Sequence, residues 1–194
     1  MGAGTSPTGI PRDRVFFSMP YAYYDKLSAR EKATYRASDR IVRVPLEAPE
    51  VVWPLVERIR AALEDACRSD VQAYVQRLVT TLVTDLGARP VHVKVLAARP
   101  SHDWGETQGL YEPEEDDAPP VITVWMRTAA KKRVVAFKTF LRTVLHEMCH
   151  HLDYELYGLD ESFHTEGFFK RESSLFHQIV RPDAQLPDAR ADQT

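Results

Sequence analysis

The pentapeptide His146-Glu147-Met148-Cys149-His150 constrains this chain more than any other feature of its sequence. Two histidines four residues apart on a helix lie one turn apart on the same face. Both imidazoles can therefore reach one Zn²⁺ at the roughly 2.0–2.1 Å that zinc requires. The pattern predicts a zinc site built on a helix, so the fold must hold a stable helix at this point.

The residues around the pentapeptide favour one long amphipathic helix, from about residue 134 to residue 157. Its apolar side chains recur at helical spacing and are Phe137, Leu141, Val144, Leu145, Met148 and Leu152. His146 and His150 fall on the opposite side, and Gly158 is placed to end the helix. We therefore expect the apolar stripe to pack in the core, with Cys149 as a small packing residue, while the two histidines face a cleft.

Glu147 projects to the flank of the histidine line. There its carboxylate can take a proton from zinc-bound water and pass it to a leaving amine. Zinc lowers the pKa of water only to about 7, so attack on an amide still needs directed proton transfer. Because a purely structural zinc site needs no carboxylate here, the pattern predicts Glu147 as the general base of a hydrolase.

The third zinc ligand is predicted to be His164, with Glu172 as the alternative. Catalytic zinc usually takes three protein ligands, and His164 opens the last predicted helix, where it can turn toward the zinc helix. Glu172 lies within an apolar stripe, an expensive place for an unpaired carboxylate. The two residues are eight positions apart, about 12 Å along a helix, so both cannot easily bind one ion. We expect Glu172 beside the site, as a partner of a ligand or of a cation; as a ligand it would make the site His₂Glu.

The other histidines and tyrosines near the motif are predicted to have surface or packing roles. His177 lies opposite the apolar stripe of the last helix and is predicted to face water. His151 falls outside the ligand line, so we expect it on the surface, paired with Glu155 four residues on. Tyr111 and Tyr157 could stabilise an oxyanion, although packing and surface roles are more usual for tyrosine.

The remaining periodicity predicts an α+β fold, with N-terminal helices before a small sheet and two helices after it. Predicted helices span about 28–38, 48–66, 69–86, 134–157 and 165–180, the first opened by a capping box at Ser28 and Glu31. Predicted strands cover 91–95, 107–111 and 121–126. We expect these three strands to form a sheet rich in antiparallel pairs.

The length, charge and cysteine content of the chain limit its domain number and argue against several classes of function. A chain of 194 residues can form one well-buried domain but not two large ones. A net charge of −3 gives no basic field for binding nucleic acid, and two cysteines make no disulfide framework. With no apolar run that could span a membrane or target the chain for export, we expect a cytoplasmic protein whose partner is a protein or peptide substrate.

Taken in order, these motifs resemble those of the SprT-like zincin metallopeptidases. That family joins HExxH to a later histidine in an HxxxF context, here His164-Thr165-Glu166-Gly167-Phe168 after thirteen intervening residues. The segments Gly109-Leu110-Tyr111 and Ile122-Thr123-Val124 are similar to two strands of the family, so the likeness spans about residues 70–180. Thr165 stands where the family usually has glycine, and no zinc ribbon follows. Some relatives act on DNA-linked substrates, which the negative charge does not support.

The resemblance implies a zincin-like fold, Zn²⁺ on His146, His150 and His164, and Glu147 as general base. It implies a zinc-dependent metallopeptidase that hydrolyses peptide bonds by Glu-assisted attack of zinc-bound water. The alternative is a catalytically inactive, zinc-stabilised module for protein binding or regulation. The predicted organisation is a flexible leader (1–19), an N-terminal helical extension (20–66), a zincin-like metallopeptidase domain (67–181) and a flexible tail (182–194). The extension has no counterpart in the family and is expected to cap the cleft or to block it.

Overall fold

The computed structural model describes residues 23–98, 101–102, 105–106, 108–114 and 118–181. The predicted leader (1–19) and tail (182–194) lie outside these residues. The α-helices are α1 (Ala29–Arg40), α2 (Trp53–Glu64), α3 (Arg68–Asp85), α4 (Phe137–Glu155) and α5 (Glu166–Ile179). The strands are β1 (His92–Ala98), β2 (Ser101–His102), β3 (Gly105–Glu106), β4 (Gly109–Glu112) and β5 (Val121–Arg127). The described chain is therefore α+β, with the helices and the main strands in the predicted order.

Local signals explain where the helices begin and end. The predicted capping box is present at α1, where Ser28 Oγ accepts from the Glu31 backbone N–H and the Glu31 carboxylate accepts from the Ser28 N–H. Helix α2 follows a 3₁₀ turn (Pro49–Val52) and carries Pro54 in its first turn, where a missing N–H costs little. Gly158, with φ +58°, follows the last turn of α4 in a conformation that favours glycine.

The main sheet has three strands in the order β1-β5-β4. Strand β4 is antiparallel to β5, but the longer pairing, between β1 and β5, is parallel. The prediction of an antiparallel-rich sheet is therefore right for β4 and β5 but wrong for β1 and β5. Parallel strands cannot be joined by a tight turn, and β1 and β5 are more than 20 residues apart in the sequence. Strand β5, in the centre of the sheet, is buried on both faces from Ile122 to Met126.

One hydrophobic core joins the N-terminal helices to the rest of the chain. Buried residues from the predicted extension that enter this core are Val44, Val52, Val56, Ile59, Ala62 and Leu63. They share it with Leu141, Leu145 and Met148 of α4, so α2 stabilises the helix that carries the motif. The predicted boundary at residue 66 stays a prediction. Within the described ranges, the structure contains no helix with the length and apolar character needed to cross a membrane.

Candidate metal centre

Three imidazole nitrogens converge between α4 and α5. His146 Nε2 lies 2.9 Å from His164 Nε2, which lies 3.1 Å from His150 Nε2. All three potential ligand atoms fall within 4.8 Å of one another. His146 and His150 are half-buried on one face of α4, and His164 is exposed in the loop just before α5. The structure thus brings together the three residues that the sequence predicted as ligands.

Two of the three nitrogen–nitrogen separations are close to those of a zinc site. Two nitrogens bound to one tetrahedral zinc at about 2.0–2.1 Å lie about 3.3–3.4 Å apart, and the two separations above are within a few tenths of an ångström of that value. Imidazole suits zinc and other first-row metals. Three protein ligands would leave the fourth zinc position to water or substrate. His146, His150 and His164 can therefore hold a metal ion.

The start of α5 fixes the loop that carries His164. Thr165 is the buried N-cap of this helix, and its hydroxyl accepts from the Phe168 backbone N–H at 3.0 Å. The Phe168 ring is fully buried, with its centroid 4.7–5.1 Å from the rings of the three histidines. Thr165 therefore has a structural role as the helix cap. Glycine, which the SprT-like family usually has at this position, lacks the side chain for that role.

Glu172 lies beside the histidine cluster and orients one of its members. Its carboxylate is 3.3 Å from His146 Nδ1 and accepts from the Arg142 guanidinium at 2.9 Å. Burial raises the pKa of Glu172, but the hydrogen bonds from His146 and Arg142 outweigh it and lower that pKa overall. An ionised carboxylate only accepts, so His146 carries its proton on Nδ1 and turns the Nε2 lone pair toward the cluster.

His150 is held in the same way by a different partner. Its Nδ1 lies 2.7 Å from the Ser162 hydroxyl, which donates to Asp153 at 2.7 Å. Burial, helped by the neighbouring histidines, lowers the pKa of His150 to about 3. The imidazole is therefore neutral near pH 7, which is the form that binds a metal.

Glu147 is a buried carboxylate at the edge of the cluster. Burial raises the pKa of Glu147 to about 7, against the opposing effects of His146 and of the Tyr111 backbone N–H that donates to it. Strand β4 passes so close that a Cβ on Gly109 would overlap the carboxylate. A larger residue at position 109 would therefore displace the Glu147 side chain. A carboxylate with a pKa near 7 is suited to both accept and return a proton at neutral pH.

Two cavities meet at the cluster, and both are lined by Gly109, His146 and Glu147. One, of about 490 Å³, extends toward Arg142 and Glu172. The other, of about 380 Å³, is further lined by Leu110, Tyr111, Pro113, His150, Tyr154, Ser162 and His164. The cluster therefore faces a cleft that continues on both sides of Glu147, along strand β4.

The expectation for His151 was wrong. It is fully buried, with Nε2 donating to the Arg89 carbonyl at 2.7 Å and Nδ1 accepting from the Tyr111 hydroxyl at 3.2 Å. Glu155 instead lies 3.7 Å from Arg89. The cause is that β4 covers this side of α4, which the helical pattern alone does not reveal. The expectations that His177 is exposed and that Cys149 is buried are confirmed.

Several residues of the site were not found from the sequence. Of the two tyrosines considered from the sequence, Tyr111 lines the cleft and Tyr157 lies beside Arg171, whereas Tyr154, which also lines the cleft, was not considered. Arg171 shares the buried side of α5 with Phe168 and Leu175. A charged residue within this apolar stripe could have predicted a buried ion pair from the sequence. No sequence pattern indicates a role for Ser162.

Comparison of the chain with protein-family models, curated proteins and solved structures finds no match.

Proposed function

We propose that this protein is a zinc metallopeptidase of the zincin kind, resembling the SprT-like group, and that it hydrolyses peptide bonds. The observation that carries the proposal is the position of Glu147, a buried carboxylate with a pKa of about 7 beside three convergent histidine Nε2 atoms. A site that only stabilised a fold would have no use for an acid–base group there. The HExxH motif thus stands in a suitable structural context.

The residues divide the work between binding and proton transfer. His146, His150 and His164 hold the zinc, with Glu172 and Ser162 orienting two of them. Zinc held there would supply a Lewis acid for a substrate carbonyl and would lower the pKa of a bound water to about 7. Glu147 takes a proton from the attacking water and returns it to the leaving amine.

The cleft suits an extended chain rather than a small ligand. Its two cavities share Gly109, His146 and Glu147 and then continue to different residues, which leaves room for substrate on more than one side of the bond that is cut. Strand β4 borders the cleft and pairs with β5 on its other side, at the edge of the three-stranded sheet. These features support a peptide or unfolded protein segment as substrate.

Removal of zinc is the test of this proposal. Purified full-length protein loaded with zinc is expected to cleave unfolded proteins such as casein, with new termini detected by mass spectrometry. Treatment with a chelator should abolish cleavage, and one equivalent of Zn²⁺ should restore it, because the three histidines provide no Lewis acid of their own. The Glu147→Gln variant, purified in the same way, serves as the control for contaminating activity.

A folded, zinc-loaded protein that cleaves none of a broad set of unfolded substrates and peptides would contradict the proposal. That result would favour the alternative of a zinc-stabilised module for protein binding. Circular dichroism and zinc content, measured on the same sample, would show that its fold and its metal were intact.

A further inference from the structure

A continuous chain of polar contacts leads away from the cluster through His150. The His150 Nδ1 atom is 2.7 Å from Ser162 Oγ, and Ser162 donates to Asp153 Oδ2 at 2.7 Å. The other Asp153 oxygen accepts from the Arg171 guanidinium at 2.6 Å. None of these contacts is needed to close a helix or a strand, since the four residues come from α4, α5 and the loop between them. Their arrangement therefore calls for another explanation.

The buried ion pair dictates the direction of the hydrogen bonds. Asp153 and Arg171 both have side chains with 0% exposure, so their opposite charges are held away from water. A carboxylate paired with arginine only accepts hydrogen bonds, so the single proton of Ser162 is committed to Asp153. Ser162 Oγ must then accept from His150, which places the His150 proton on Nδ1. The Nε2 lone pair is left facing His164.

Helix α1 anchors the far end of this chain. Arg171 donates to the carbonyls of Ser38 and Ile41, both at 2.7 Å, where α1 ends. Beside it, the Asp39 carboxylate accepts from the Gly167 N–H at 2.9 Å, and a Cβ on Gly167 would overlap the Asp39 backbone. Helices α1 and α5 are thus locked at close approach, so the arginine that holds Asp153 cannot easily shift.

We propose that Ser162 is a positioning residue for His150, and that the Asp153–Arg171 pair and helix α1 hold Ser162 in place. The hydroxyl fixes both the tautomer and the ring orientation with which His150 meets a metal. Helix α1 therefore acts on the metal site indirectly, through its hydrogen bonds with Arg171. The proposal rests on the metal site of the proposed function but not on peptide hydrolysis.

Two substitutions at Ser162 separate positioning from simple packing. Ser162→Ala removes the acceptor while leaving the Asp153–Arg171 pair in place, and Ser162→Thr keeps a hydroxyl. Zinc affinity, measured by competition with a chromogenic chelator, is expected to fall by about 10–100-fold in Ser162→Ala. Affinity in Ser162→Thr should stay close to that of the wild type. The matched control is Ser173→Ala on α5. His177 contacts the backbone carbonyl of Ser173, which the substitution leaves in place.

The tautomer of His150 distinguishes positioning from packing, because it would not change on substitution of Ser162 if that residue only filled space. In the metal-free full-length protein, ¹H–¹⁵N correlation spectra should show His150 protonated on Nδ1, and Ser162→Ala should raise the population protonated on Nε2. Wild-type zinc affinity in Ser162→Ala, an unchanged tautomer, or equal losses in the alanine and threonine variants would each overturn the proposal. These outcomes differ from failure of the proposed function, in which the wild type itself would bind no zinc or cleave nothing.

Discussion

Glu147→Gln is expected to lower kcat/KM for peptide hydrolysis by about 10²–10⁴-fold while leaving the zinc content of the protein unchanged. Glutamine keeps the shape of the side chain and can still accept from the Tyr111 N–H, so the packing against Gly109 is preserved. It cannot take a proton from water near pH 7. The loss should therefore fall on catalysis and leave metal binding intact.

Steady-state hydrolysis of a fluorogenic peptide that spans a cleavage site found in casein measures this effect, with zinc determined on the same samples. Glu161→Gln is the matched control, because it removes an exposed carboxylate from the loop between α4 and α5 without touching the cleft. Unchanged hydrolysis in Glu147→Gln would contradict its role as general base. Loss of zinc in that variant would contradict its place outside the ligand set.

Arg171→Met is expected to lower the free energy of unfolding by about 3–5 kcal/mol. The substitution leaves the Asp153 carboxylate buried without its cation and removes the donors that bind the carbonyls of Ser38 and Ile41. Methionine fills part of the vacated volume, so the loss comes mainly from the uncompensated charge. Among the variants considered, this one should have the largest effect on stability.

Urea unfolding of metal-free protein measures the effect, because bound zinc would add its own stabilisation to the folded state. The control is Arg30→Met, which breaks the Arg30–Asp160 pair on the surface, where both side chains are at least half exposed. Its cost should be small beside that of Arg171→Met, because water screens an exposed ion pair. The double variant Arg171→Met with Asp153→Asn should lose less than the sum of the two single variants. A loss below 1 kcal/mol in Arg171→Met, or full additivity, would show that the ion pair contributes little.

Features encoded locally could be predicted from the sequence. The capping box at Ser28 and the spacing of apolar residues in α4 each involve neighbours within one or two turns, so the pattern determines them. The same holds for His146 and His150, because their four-residue spacing places them together on any helix. His164 required an additional argument about the loop, which the convergence of the Nε2 atoms now supports.

Features that depend on distant partners could not be predicted in this way. The parallel pairing of β1 with β5 joins strands that are more than 20 residues apart in the sequence, beyond the reach of a local pattern. The burial of His151 depends on β4, and that of Arg171 depends on Ser38, 133 residues earlier in the sequence. A helical wheel assigns a face to each of these residues but does not say what covers that face. The structure supplies the missing contacts.

The most direct test of the central claim is the metal content of purified wild type, His164→Ala and Glu172→Ala, determined by inductively coupled plasma mass spectrometry. The three-histidine site predicts one zinc per chain in the wild type and in Glu172→Ala at saturating zinc, since Glu172 only orients His146. It predicts loss of that zinc in His164→Ala. Retention of zinc without His164 and its loss without Glu172 would contradict the site, as would a wild-type protein that binds no metal.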